Sequence, residues 1–204
     1  MGSGIYSKFW GPDLELLKYG CIYMDPPWDF KTYSADGGNR APKYNTMSMQ
    51  EIYDMRVADL AATNCLLAMW VTDPFLEFGF ECLDSWGFKY STVGFYWAKT
   101  GKHLPDLIER DNLQTSFPIG TGHWTRANPE ICLFATRGSP KRLSASIRKL
   151  VVAPRREHSR KPDRVRDDLK KLVGGPYVEL FARQKIEGWD VWGNQTDHFE
   201  VDDG

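Results

Sequence analysis

The segment Asp25-Pro26-Pro27-Trp28 brings a carboxylate, two prolines and a large aromatic ring together directly after the apolar run 19–24. Two consecutive prolines end a regular strand, because each ring fixes φ and removes a backbone donor. The segment is therefore predicted to form a stiff turn at the carboxyl end of a buried strand. Open α/β sheets bind their ligands at this edge, so the turn is a candidate site.

An exocyclic amine on an aromatic base would suit the chemistry of this turn. The lone pair of such an amine is delocalised into the ring, and two acceptors aimed at its N–H bonds draw it back onto nitrogen. Asp25 and the backbone carbonyl of Pro26 supply one acceptor each, and Pro27 stiffens the geometry. Trp28 offers a flat face for stacking with a base, a contact typically of about 1–3 kcal/mol. The alternative is a plain turn with Trp28 in the core.

The elements that position this turn follow from the hydrophobic pattern. Apolar runs with strand character occur at 19–24, 65–71, 88–99, 130–136, 149–153, 177–182 and 189–193. Patterns typical of helices lie between them, at 47–56, 73–87 and 161–175. Strands that alternate with helices predict one α/β domain over 1–204, with a parallel or mixed sheet between helices.

Two long segments interrupt this alternation, at 29–46 and 100–129. Long loops inside a compact domain are usually functional or disordered. The first leaves the Asp25 turn directly, which favours a lid or substrate gate. The second combines Trp124 and Arg126 with glycines and polar residues, which is typical of a surface that becomes ordered on a partner.

Scattered thiols and imidazoles indicate neither a disulfide framework nor a metal site. No apolar run reaches the roughly 18 to 20 residues of a membrane helix, so we expect a soluble, cytoplasmic protein that does not act at a membrane. The formal net charge of −1 hides a basic segment, 137–171, with 13 Lys and Arg against 4 Asp and Glu. Such an excess favours contact with phosphates, although a solvated face is the more common explanation.

Blocks along most of the chain, from about Tyr19 to Gln195, resemble one family. They are DPPW at 25–28, YNTMS at 44–48, LAMWVT at 67–72, ECLDSWGF at 81–88, GTGHW at 120–124, SRKPD at 159–163, VELFAR at 178–183 and WGNQ at 192–195. In this order they are similar to the seventy-kilodalton methyltransferase-A family, which includes the catalytic subunit of the mRNA adenosine methyltransferase, and to its bacterial and phage DNA-adenine relatives.

The resemblance implies transfer of a methyl group from S-adenosylmethionine to the N6 amine of adenine. It also implies a Rossmann-like methyltransferase sheet flanked by helices, in a circularly permuted order with the DPPW strand before the cofactor strand. The aspartate at the start of the motif favours adenine over the targets of relatives that begin it with serine or asparagine. One departure is Ala182, where the family often has glycine.

The cofactor carries a carboxylate, an ammonium, a ribose diol and an adenine, and the last third of the chain supplies groups suited to these. By resemblance, Lys161 holds the methionine carboxylate, and the ribose and adenine are surrounded by Arg183, Asn194 and Gln195. Glu179 belongs to the same predicted set, and Asp25 is placed to meet the cofactor ammonium.

Substrate contacts are predicted for Trp28 and for loop residues that match family blocks. Tyr44 falls at the family's gate tyrosine, and His123, Trp124 and Arg126 lie in and after the GTGHW block.

The choice of substrate remains between two nucleic acids at this point. DNA is favoured over RNA because the compact chain resembles the stand-alone bacterial or phage forms, and a homodimer would suit a duplex site. The alternative from another class is a non-catalytic nucleic-acid-binding partner subunit, since the family includes such members. Those members tend to lose the aspartate or the aromatic of the motif, and both are present here.

Overall fold

The computed structural model describes residues 6–7, 9–28, 46–101, 117–120, 124–157 and 160–199. Its strands are β1 (Tyr6–Ser7), β2 (Gly11–Glu15), β3 (Tyr19–Met24), β4 (Ala61–Val71), β5 (Lys89–Thr100), β6 (Glu130–Arg137), β7 (Leu150–Pro154), β8 (Tyr177–Leu180) and β9 (Asp190–Trp192). Its helices are α1 (Met49–Tyr53), α2 (Leu76–Ser85) and α3 (Arg164–Leu172), with 3-10 turns at Val57–Asp59 and Asp73–Phe75.

Seven strands form one mixed sheet in the order β7-β5-β6-β4-β3-β8-β9. Among them β6 runs antiparallel to its two neighbours, and every other pairing is parallel. The separate strands β1 and β2 form a small antiparallel pair. The Rossmann-like sheet with the DPPW strand ahead of the cofactor strand is thus confirmed.

The central strands are buried because helices cover both faces of the sheet. In β3 the side chains of Ile22 and Met24 contribute to the core on the side of α1 and α2. Those of Cys21 and Tyr23 face the core that α3 covers through Val165. This two-sided burial explains the near-continuous apolar sequences of β3 and β4, since a strand covered on both faces has no solvent side for polar residues.

The strand runs of the sequence agree with the structure, whereas the helices are shorter than predicted. α1 occupies 49–53 and begins with a capping box, in which the Ser48 hydroxyl accepts from the Glu51 backbone N–H and Glu51 binds back to Ser48. The segment 73–87 starts as a 3-10 turn before α2, and Thr72 makes no capping hydrogen bond through its side chain. Within the described residues, no helix is long and apolar enough to span a bilayer.

Strand direction brings functional groups to one edge of the sheet. The parallel strands β3, β8 and β9 all end there, at Met24, Leu180 and Trp192. Because β6 runs the opposite way, its first residue, Glu130, lies at the same edge. We call this the carboxyl edge and the opposite side the amino edge.

Candidate active site

The turn at 25–28 is tied down by its own backbone. The Pro26 carbonyl accepts from the Trp28 N–H at 2.9 Å, and the Pro27 carbonyl accepts from the Met47 N–H at 3.1 Å. The turn is therefore fixed to the segment that leads into α1. A carbonyl oxygen has two lone pairs, so the Pro26 carbonyl retains one for a ligand.

A partly buried network of charges starts at Asp25. The Lys161 Nζ lies 2.7 Å from Asp25 Oδ2 and 3.2 Å from Glu130 Oε2. The other Glu130 oxygen pairs with Lys99, at the end of β5. The Lys161 ammonium also lies 5.6 Å from the centroid of the Trp70 ring. Two carboxylates and two ammonium groups thus alternate, so the charges of these four groups sum to zero.

This alternation keeps the buried groups ionised. Burial raises the pKa of Glu130, but Lys161 and Lys99 outweigh it and lower that pKa to about 2. Burial likewise lowers the pKa of Lys161, but Asp25 and Glu130 outweigh it and hold that pKa above its usual value. At neutral pH the Asp25 carboxylate therefore has a permanent cation beside it.

A pocket of about 320 Å³ opens beside the Asp25 turn. The ends of β8 and β9 form much of its wall, and the segment before α1 closes another side. Its lining residues are Asp25, Pro27, Thr46, Met47, Phe181, Ala182, Arg183, Trp192, Gly193, Asn194 and Gln195. Apolar rings and a methionine are combined here with a carboxylate, a guanidinium and two amides, the usual composition of a small-molecule site.

Two neighbouring strand ends approach closely at the floor of this pocket. The Ala182 N–H donates to the Trp192 carbonyl at 3.0 Å. A Cβ at Gly193 would lie only 2.8 Å from the Ala182 carbonyl oxygen, so this position requires glycine.

Four of the predicted cofactor residues meet in this pocket, namely Asp25, Arg183, Asn194 and Gln195. Lys161 lies behind the carboxylate of Asp25 rather than in the lining, with its side chain 10% exposed. Its ammonium contacts two protein carboxylates, so the predicted contact with a cofactor carboxylate is not the contact that the structure shows.

Glu179, another residue suggested for the cofactor, pairs with an arginine of α3. Both of its oxygens accept from Arg166 of α3, at 2.7 and 3.0 Å, and the residue is buried. Burial raises the pKa of Glu179, and Arg166 opposes that effect. The pair joins α3 to β8 on the face of the sheet that α3 covers, because the side chain of Glu179 points to that face and not into the pocket.

The ring of Trp28 packs in the core. Its ring is 3% exposed and stacks on Phe75, with centroids 5.5 Å apart and an interplanar angle of 13°. Its Nε1–H donates to the Trp70 carbonyl at 3.3 Å. The ring is held in the core, as in the alternative interpretation, because Phe75 occupies the face that was predicted to receive a base.

The remaining predicted contacts divide between described and undescribed residues. Trp124 is 93% exposed and Arg126 is exposed as well. Their segment is fixed near the carboxyl edge, where the Asn128 side chain donates to the Lys99 carbonyl at 2.9 Å. Tyr44 and His123 lie outside the described residues, as do nearly all of 29–46 and much of 100–129.

Sequence reasoning missed the role of Glu130. The available signal was its position, since an acidic residue begins an otherwise apolar strand directly after a long loop. Only the antiparallel direction of β6 places that residue beside Asp25, and direction could not be deduced from the local pattern.

The basic segment 137–171 is divided by the fold. Arg156, Arg160 and Arg166 pair with acidic side chains near the carboxyl edge. Arg142 lies instead at the amino edge, because the next residue, Leu143, donates its N–H to the Leu172 carbonyl at the end of α3. The segment is therefore not one continuous phosphate-binding surface.

The mixed sheet, its flanking helices and an aspartate–proline–proline turn beside a pocket at the carboxyl edge define a methyltransferase of the Rossmann-like class. The sequence profile of the MT-A70 family matches residues 19–195. The chain belongs to this family, as the sequence blocks indicated.

Three relatives illustrate the range of the similarity. The Type II methyltransferase M.MunI of a Mycoplasma species is 31% identical over 202 residues, which cover 89% of this chain and 79% of that protein. The N(6)-adenosine-methyltransferase MT-A70-like of Arabidopsis thaliana is 33% identical over 180 residues, covering 87% and 24%. The human N(6)-adenosine-methyltransferase catalytic subunit METTL3 is 29% identical over 190 residues, covering 91% and 30%. The chain thus spans less than a third of the length of the plant and human relatives.

Proposed function

We propose that this protein transfers a methyl group from S-adenosylmethionine to the N6 amine of adenine in DNA. The observation that carries the proposal is the position of Asp25. Its carboxylate lines the same pocket as Arg183, Asn194 and Gln195 and is paired with Lys161. A single aspartate therefore stands where a methyl donor and an amine acceptor would meet.

The lining of the pocket fits the chemical groups of S-adenosylmethionine. Asp25 would accept from the ammonium, Arg183 would bind an anionic or hydroxyl oxygen, and the amides of Asn194 and Gln195 would bind the ribose and base edge. Phe181 and Trp192 supply apolar walls. When bound, this cofactor supplies an electrophilic methyl group on a sulfonium.

The protein's contribution to the transfer is orientation and electrostatics. A carboxylate has about four lone-pair sites, so Asp25 can accept from the target amine while it remains paired with Lys161. The Pro26 carbonyl offers the second acceptor. The fixed turn keeps both acceptors in place before the reaction, which avoids reorganisation as charge develops.

Contacts with the nucleic acid are proposed at the exposed side of the carboxyl edge. Trp124 presents a large exposed ring that a base can stack on. Arg126 is placed two residues later to meet a phosphate. Tyr44 and His123 remain predicted substrate contacts, and Trp28 acts through packing that fixes the turn.

DNA is proposed over RNA on the similarity to the Type II methyltransferase M.MunI, which extends over 89% of this chain at 31% identity. RNA is the alternative substrate. A non-catalytic partner subunit is the other alternative, and the presence of Asp25 with its buried lysine partner argues against it.

The test is incubation with isotopically labelled S-adenosylmethionine and mixed-sequence DNA or RNA, followed by digestion to nucleosides and mass analysis. We expect label in N6-methyldeoxyadenosine. Label only in N6-methyladenosine would support the same reaction with RNA as the substrate. No label in either, with no cofactor binding by calorimetry, would favour the partner subunit.

The Asp25→Ala variant tests the proposed role of the carboxylate. We expect it to lose turnover by a factor of about 10³ or more while it still folds, because one acceptor for the amine is removed. Asp13→Ala is the matched control, since Asp13 is an exposed carboxylate on β2. Near-normal methylation by Asp25→Ala would contradict the mechanism.

A further inference from the structure

The chain that follows β9 returns to the pocket. After Asn194 and Gln195 it turns, and the His198 N–H donates both to the Gln195 carbonyl at 2.9 Å and to the Arg183 carbonyl at 3.1 Å. The Phe199 N–H donates to the same Arg183 carbonyl at 3.0 Å. The turn thus begins at two pocket residues and ends on a third.

The Phe199 ring meets two guanidinium groups at the end of this turn. The Arg183 Cζ lies 4.6 Å from the ring centroid and the Arg160 Cζ lies 5.0 Å from it. Arg160 is itself buried and pairs with Glu157 at 3.3 Å and with Asp163 at 3.7 Å. The next residue after Arg160 is Lys161, the partner of Asp25.

The electrostatics of this arrangement favour a fixed Arg183. Two guanidinium groups near the same point repel each other, and the negative face of an aromatic ring offsets that repulsion. An arginine in solution also samples many rotamers, and ordering it on ligand binding costs free energy. A ring that already holds the guanidinium removes part of that cost.

We propose that Phe199 is a positioning residue that holds Arg183 in the orientation in which it binds the cofactor. Phe199 is not among the residues that line the pocket, and its ring contacts Arg183, which is. The same ring also contacts Arg160, so it links the residue before Lys161 to Arg183, which follows β8. The inference rests on the proposed function, because it assumes that the pocket takes S-adenosylmethionine.

The test is calorimetric titration of S-adenosylmethionine into the wild-type protein, Phe199→Leu and Phe199→Tyr. Leucine keeps an apolar side chain but removes the ring, whereas tyrosine keeps the ring. We expect the Kd of Phe199→Leu to rise about five- to tenfold and that of Phe199→Tyr to stay within about twofold of the wild type. In kinetics, the KM for the cofactor should rise more than kcat falls.

Phe80→Leu is the matched control, since Phe80 packs edge-on against Tyr90 near the start of β5, at the amino edge. Thermal unfolding without cofactor measures any general loss of stability in each variant. An unchanged Kd in Phe199→Leu, or equal weakening in the leucine and tyrosine variants, overturns the inference while the proposed function stands. No binding by the wild type overturns the proposed function, and the inference with it.

Discussion

Lys161 carries the charge on which the other groups of the site depend. A lysine buried without partners would lose its proton, because burial disfavours the charged form. Here the Lys161 Nζ lies 2.7 Å from an Asp25 oxygen and 3.2 Å from a Glu130 oxygen, and these two carboxylates keep the lysine charged. Glu130 in turn keeps Lys99 beside the same edge. The orientation of Asp25 is thus set by residues from three other parts of the chain.

The lowered pKa of Glu130 predicts an acid-dependent loss of stability. The folded pKa of about 2 lies below the unfolded value of 4.5, so the contribution is complete above about pH 4.5 and is lost as the pH falls towards 2. The shift corresponds to about 3 kcal/mol. In urea unfolding between pH 6 and 2, we expect Glu130→Gln to lose less free energy with acid than the wild type.

Glu81→Gln serves as the control for this comparison, because Glu81 is exposed on α2. It should keep the acid dependence of the wild type. If Glu130→Gln and the wild type lose the same free energy over this range, the ionised state assigned to Glu130 is wrong.

At the scale of elements, α3 is joined to the sheet by polar as well as apolar contacts. Val165 and Leu169 lie in the core, and between them Arg166 reaches Glu179 in the middle of β8. A bidentate arginine–carboxylate pair fixes orientation as well as distance. The pair therefore holds α3, which follows Lys161, in one register on β8, the strand that precedes Arg183.

Arg166→Met should destabilise the protein by about 3–5 kcal/mol, because it leaves the Glu179 carboxylate buried without its cation. Lys171→Met is the matched control on the same helix. Lys171 is exposed, so its loss should cost less than about 1 kcal/mol. Both are measured by urea unfolding. Equal effects of the two changes would show that the buried pair contributes nothing beyond a surface charge.

The sequence predicted a strand correctly where burial alone determines its position. β3 occupies 19–24 as predicted, because a strand covered on both faces is apolar throughout. The turn at 25–28 followed from proline geometry. The direction of β6 could not be predicted, since it depends on pairing with β4 and β5, which lie far away in sequence.

The partners of individual side chains depend on the fold and could not be read from the sequence. Trp28 was predicted to face a ligand, but Phe75, which follows the end of β4, stacks on it. Lys161 and Glu179 were predicted as cofactor contacts, but Asp25, Glu130 and Arg166 bind them. Residue type indicated that these positions carry charge or aromatic surface, and only the fold determined the partners.

At the scale of the whole molecule, exposed arginines lie at both the carboxyl edge and the amino edge of the sheet. Arg126 is exposed on a segment fixed to the carboxyl edge, whereas Arg142 is exposed at the amino edge near the end of α3. A nucleic acid that delivers a base to the Asp25 turn must approach the first end. Association with a second copy of the chain stays a prediction.

Arg126→Gln should therefore weaken nucleic-acid binding and reduce the slope of log K against log salt by about 1, because one phosphate contact is lost. Arg142→Gln should leave both quantities unchanged. Fluorescence anisotropy over a salt series measures them. A larger effect from Arg142→Gln would place the phosphates at the amino edge and contradict the proposed approach.

The pairing of β3 with β8 has a consequence for the synthesis of the protein. Ile22 lies opposite Val178, so everything between these two residues must be made before this central pair can form. Contacts between residues so far apart in sequence form slowly. The antiparallel pairs β4–β6 and β5–β6 involve shorter separations and can form while the chain is still on the ribosome. The Asp25 turn is thus translated before Lys161 and before the pocket wall at the ends of β8 and β9, and it acquires them last.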